Sequence, residues 1–189
     1  ILTSGSYSGL KDTIIDYVKR GGKVMAIEKA VSVFSNEKST SLAKAIETKS
    51  AEDKAAEKKV KSDDTTYLKK YEYTIESRYA ISNRSAGSIY KVKIDDTHPY
   101  AFGLGKEWFI MKRTAGYPFL PAGNNIGYIP DKEPVSGFAG FKYKDKIKNT
   151  LVIGSEQIGK GEVIYITDNP YFRAFWKSGR ALTGNIVLR

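Results

Sequence analysis

The chain contains no cysteine and a single histidine, His98, among 189 residues. Without a thiol there is no cysteine nucleophile and no CxxC redox pair. One imidazole is too few to assemble a structural zinc site of the usual Cys/His type. No run approaches the roughly 20 apolar residues that span a bilayer. The opening Ile1-Leu2-Thr3-Ser4-Gly5 carries no basic, signal-like leader. Lack of cysteine fits a reducing cytosol and equally a bacterial secreted protein that never used disulfides. What remains points to binding, support or regulation.

What is present is the composition of a globular protein: 41% hydrophobic and 12% aromatic residues, enough for one domain over residues 1–189 with a sizeable core. The net charge of +10 invites a nucleic-acid partner, but its distribution argues against one. Lysines between Lys44 and Lys70 alternate with Glu47, Glu52, Asp53, Glu57, Asp63 and Asp64, the pattern of a solvated helix face. Tyr67-Leu68-Lys69-Lys70-Tyr71 reads as one amphipathic turn. Neither a nucleic acid nor a membrane is expected as a partner.

Leu10, Ile14, Tyr17 and Val18 recur at helical spacing after Ser8, a candidate N-cap, and Gly21-Gly22 supplies a stop. Lys23-Val24-Met25-Ala26-Ile27 then reads as a buried strand. With Ile1 to Thr3 as the tail of an earlier strand, the opening has the spacing of a βαβ unit and a parallel sheet, as though entered partway through a longer chain. A second helical stretch is predicted over Ala30 to Phe34. Residues 36–70, rich in Lys, Glu, Ala and Ser, are predicted to be a charged helical insertion outside the core, with a helix over Ser50 to Val60.

Period-2 alternation marks strands over Ser88–Ile94 and Glu107–Met111. Asn149–Gly154 and Gly161–Thr167 predict a hairpin. Pro170 is expected to open an aromatic helix through Tyr171, Phe172, Phe175 and Trp176, followed by a helical run to Leu188. The expected fold is α/β, a mixed but mostly parallel sheet flanked by helices, with a hairpin and the charged helical insertion.

Several motifs tempt. Gly154, four residues, then Gly159-Lys160-Gly161 falls one residue short of a phosphate-binding loop. Gly161 stands where Ser or Thr would hold magnesium, and a strand follows rather than a helix, so a hairpin turn is the better reading. Gly5-Ser6-Tyr7-Ser8-Gly9 has Tyr7 where a nucleophile elbow needs serine and reads as a turn. His98, in Asp95-Asp96-Thr97-His98-Pro99, could act as a base or one metal ligand. Its setting before Pro99 favours an imidazole that bonds backbone and fixes a loop. Asp168, before Asn169-Pro170, ends a strand at the edge where α/β sheets bind ligands.

The phrases Gly87 to Asp95, Thr97-His98-Pro99-Tyr100-Ala101-Phe102-Gly103, Gly159 to Val163 and Asp168-Asn169-Pro170-Tyr171-Phe172-Arg173-Ala174-Phe175-Trp176, in that order, resemble the C-terminal domain of large bacterial zinc carboxypeptidases. That domain is similar to class I glutamine amidotransferases, and the resemblance covers nearly the whole chain outside the charged insertion. It implies a flavodoxin-like sheet and a secreted or periplasmic parent whose zinc belongs to a separate, preceding peptidase domain, the expected partner within the same chain. No cofactor or metal is implied for this segment. The amidotransferase elbow would follow Met25-Ala26-Ile27, placing Glu28 at the thiolate position, then Lys29 and Ala30. A carboxylate cannot replace that thiolate as acyl acceptor, so the expectation is a catalytically silent accessory domain. Glu28, Lys29, His98 and Asp168 form its candidate vestigial cleft.

Two other classes compete. A small hydrolase would use Glu28 as base with His98 or Lys29 nearby. A carbohydrate or cell-wall binding module would stack sugars on Trp108, Tyr117, Phe119 and Tyr128, which requires those rings to be exposed and coplanar.

Overall fold

The computed structural model describes residues 1–51 and 78–189. Strands β1 (Lys23–Ile27), β2 (Ser85–Ile94), β3 (Glu107–Lys112), β4 (Asn124–Ile129), β5 (Ser136–Ala139), β6 (Thr150–Ile158) and β7 (Gly161–Ile166) make one sheet in the order β1-β7-β6-β4-β2-β3, with β5 paired to β2 beside that path. The fold is α/β, but the sheet is mixed and mostly antiparallel. Among the described residues only β1 with β7, and the bridge of Leu2 to Ala26, are parallel. The βαβ spacing at the start of the chain is real; its extension to a mostly parallel sheet is corrected. The strands after residue 84 pair antiparallel with their neighbours, so none of them needs the helical crossover that parallel strands require.

Alternation along β1 and β7 divides the core between two faces. Met25, Ile27, Ile164 and Ile166 join Val92, Trp108, Ile110, Leu182 and Ile186 on one side. Val24, Ala26, Val163 and Tyr165 join Ile15, Val18, Phe34 and Leu42 on the other. Helices α3 (Phe141–Ile147) and α4 (Ser178–Leu188) cover the first face. Helix α1 (Lys11–Lys19), the single turn α2 (Ser32–Ser35) and a helical stretch over 41–51 cover the second. The helix expected from Leu10 forms as predicted, although Ser8 lies in a preceding 3-10 turn and does not cap it.

The expected insertion over 36–70 is corrected at its start. Leu42 is fully buried and Thr40, Ser41 and Ala43 are buried beside it. Ser41 N–H donates to Glu156 Oε2 at 2.7 Å, and Tyr165 O–H donates to Oε1 at 2.5 Å. A buried carboxylate thus meets one free N–H of the helix start, where the helix dipole favours negative charge. Most of the predicted Ser50–Val60 helix and the Tyr67–Tyr71 turn lie outside the described residues.

The predicted β6–β7 hairpin is present, and its glycines answer to packing rather than to phosphate. Gly159 turns in the left-handed region (φ 64°). Lys160 N–H donates to Lys19 O, and Glu162 N–H to Gly22 O, so the turn is stitched to the end of α1. A Cβ on Gly161 would lie 2.2 Å from the carbonyl oxygens of both Val18 and Gly22. The aromatic helix after Pro170 is replaced by a 3-10 turn, Phe172–Ala174, with Arg173 and Ala174 both left-handed. Gly161→Ala is expected to lower unfolding free energy in urea by about 2–3 kcal/mol through overpacking. Gly9→Ala, where an added Cβ meets nothing within 4 Å, should leave it within about 0.5 kcal/mol.

Candidate functional site

The site sits at the end of the sheet where β1 and β7 finish. Ile27 is extended (φ −115°, ψ 133°), and the chain then reverses through Glu28 at φ 54° into a 3-10 turn, Glu28–Val31, that runs into α2. Left-handed backbone is costly for a residue with a long side chain, about 1–2 kcal/mol. It persists because both flanks are fixed: β1 is paired on both edges, and Ala30 and Val31 are fully buried. The result is a strand–turn–helix elbow with a carboxylate at its apex.

Glu28 and Lys29 line a cavity of about 460 Å³ together with Ser4, Ser6, Ser32, Thr114, Tyr117 and Thr167. Below it Asp168 is paired with a lysine that sequence reasoning missed. Lys112 ends β3 fully buried, and its Nζ meets Asp168 Oδ2 at 2.5 Å, with Asp168 buried as well. Thr167 O–H donates to Oδ2 at 2.9 Å and Thr114 O–H to Oδ1 at 3.0 Å. Asp168 therefore accepts from an ammonium and two hydroxyls, and both threonines also line the cavity. Burial, and next the Asp168 charge, push the Tyr117 phenol above its ordinary value, so it stays a neutral hydroxyl near neutral pH. The same two causes act on Tyr143, whose O–H donates to Thr114 O at 2.7 Å.

The signal for Lys112 was present but unread. In Glu107-Trp108-Phe109-Ile110-Met111-Lys112, Trp108, Ile110 and Lys112 share the buried face, so a lysine in phase with two core residues demands a buried counter-charge.

His98 does not belong to this cleft. It caps the turn after β2, with Nδ1 accepting from Tyr100 N–H at 3.2 Å. Tyr100 O–H in turn donates to Glu162 Oε2 at 2.5 Å and accepts from Lys23 Nζ at 3.0 Å. Glu162 and Lys23 lie at the starts of β7 and β1, so a strand's length, roughly 16 Å, separates that cluster from Glu28. The imidazole fixes a loop, as its Pro99 context suggested, and burial pulls it below its ordinary value against the pull of Asp95 and Glu162. The candidate cleft is corrected accordingly: Glu28 and Lys29 line it, Asp168 lies under it, and His98 is at the opposite end of the sheet.

The proposed sugar-stacking rings do not form a platform. Trp108 is buried, its indole N–H donating to Ser178 Oγ at 2.7 Å, and Phe119 meets Tyr128 edge-on at 80°. Among the described residues no group of three or more His, Cys, Asp or Glu is placed to hold a metal, and no helix is long and apolar enough to cross a membrane.

No family model, curated protein or solved structure matches the chain. Chemically, the cleft offers one carboxylate, one ammonium and several hydroxyls, with no imidazole or thiol beside them. Glu28→Gly is expected to stabilise the fold by up to about 1 kcal/mol, because glycine relieves the left-handed strain while adding unfolded-state entropy. Urea unfolding reads this directly; a loss of stability would mean that the Glu28 side chain supports the elbow.

Proposed function

We propose that this chain is a catalytically silent accessory domain, built on an amidotransferase-like elbow, that supports or positions a peptidase domain or its substrate. The observation that carries the reading is Glu28 at a left-handed apex after a buried strand. That backbone presents a side chain to the cleft as an elbow nucleophile is presented, yet the group is a carboxylate. Acyl transfer from glutamine needs a thiolate that can form and release a thioester, and the cleft has none.

The flavodoxin-like part of the reading rests on the parallel corner made by Leu2, β1 and β7 with α1, to which the antiparallel strands would be an elaboration. On this reading the parent is a secreted or periplasmic zinc carboxypeptidase, its zinc held in the separate peptidase domain, and the cleft a remnant that polar ligands can still enter. The hydrolase alternative loses His98, which stands at the other end of the sheet, and keeps only Lys29 beside Glu28. The carbohydrate alternative loses its flat aromatic surface.

The purified chain incubated with glutamine, and separately with peptides bearing free C-termini, is expected to release neither ammonia nor an amino acid above the blank. Turnover that disappears in Glu28→Gln would overturn the proposal.

A further inference from the structure

A second polar cavity, of about 280 Å³, opens between the start of β2, the residues after β3 and helix α3, away from the elbow. Arg84, Arg113 and Lys146 line it with Asn83 and Ser85, and no carboxylate does. Two neighbouring cations are matched: Lys144 of α3 meets Glu133 at 2.5 Å, and Lys148, just after α3, meets Asp131 at 3.2 Å and Asp145 at 3.3 Å, while Lys142 lies over the Tyr79 ring. Lys146, between them, turns the other way and donates to the neutral Asn83 Oδ1 at 3.1 Å. Two N–H donors of that ammonium and both guanidinium forks are left without a carboxylate among the described residues.

Arg84, Arg113 and Lys146 are exposed, so water screens their mutual repulsion, but an anion held between them gains attraction from all three. Two planar forks and an ammonium suit a tetrahedral dianion, whose oxygens can accept two bidentate guanidinium contacts. A lone carboxylate would leave most of the positive charge unmatched. The cavity adjoins a larger one of about 550 Å³ that shares Ala115 and Lys146 and adds Lys49, Ile46, Tyr117 and Pro118; through Tyr117 and Thr114 this larger cavity borders the elbow cleft.

We propose that Arg84, Arg113 and Lys146 form a binding site for the phosphate group of a small phosphomonoester whose organic part lies in the adjoining cavity against Tyr117 and Pro118. The site goes beyond the accessory role and does not depend on it. It also differs from the glycine-rich turn at Gly159, which is closed against α1.

Binding of inorganic phosphate and of phenyl phosphate to the purified chain, followed by calorimetry in about 0.15 M salt to screen diffuse attraction, tests the assignment. Both should bind saturably at one site, phenyl phosphate the tighter. Arg113→Gln and Arg84→Gln should each weaken binding about tenfold, the effect of one charge-assisted contact. Lys93→Gln, an exposed residue of β2 that removes the same unit of charge, should leave affinity unchanged; far-ultraviolet circular dichroism checks that all three variants fold. No saturable binding, or equal weakening by Lys93→Gln, would overturn the site and assign any phosphate affinity to the overall charge of +10. Equal affinity for the two ligands would overturn the placement of the organic part.

Discussion

The ion pair between Lys112 and Asp168 joins parts of the sheet that a flat arrangement would hold far apart. Asp168 follows β7 and Lys112 ends β3, four positions away in the strand order, roughly 19 Å at ordinary strand spacing. Nζ and Oδ2 nonetheless meet at 2.5 Å. The sheet can bring them together because β4 pairs with β2 only at Lys93 and Ile94, with one further bond from Asp95 N–H to Ile126 O, while β5 takes over the β2 edge from Ser85 to Ile89. The strands curl around the first core face, and the pair closes the open end.

That closure explains the position of the cleft. Thr114 and Thr167, held by the same carboxylate, carry the residues after β3 and the end of β7 to the elbow at Glu28. A buried pair contributes little net stability on its own, because desolvating both charges costs nearly what their attraction returns, but losing one partner leaves a charge stranded in the core. Its contribution is therefore geometric: it selects the curled arrangement over open ones. Glu156 acts similarly on the second face, where one carboxylate binds the start of the 41–51 helix to Tyr165.

The local elements were legible wherever one physical signal dominated. Lys23–Ile27 is a short apolar run before a turn, and β2, β3 and the β6–β7 hairpin alternate or punctuate as strands do. Strand β4, Asn124-Asn125-Ile126-Gly127-Tyr128-Ile129, was hidden because asparagine and glycine mark turns. Here Asn125 serves the turn and the strand together, its side chain bonding both backbone groups of Leu120. Strand β5 and helix α3 were lost among the surrounding glycines and prolines. Parallel pairing was over-extended because the first βαβ spacing says nothing of how later strands return. Of the site, the fixed loop at His98 was legible from its proline, whereas the turn at Glu28 was reached only through the amidotransferase resemblance, which sets an elbow after Met25-Ala26-Ile27. The contacts of Asp168 were not, since its partner lies 56 residues earlier in the chain and only the curl unites them.

A double-mutant cycle measures that closure most directly. Lys112→Met, Asp168→Asn and the combined variant are unfolded in urea beside the unaltered chain. The account predicts that each single change costs about 3 kcal/mol or more and that the double variant recovers at least about 2 kcal/mol of the summed loss. Losses that simply add would show that the two residues do not act on one another and would contradict a sheet closed by this pair.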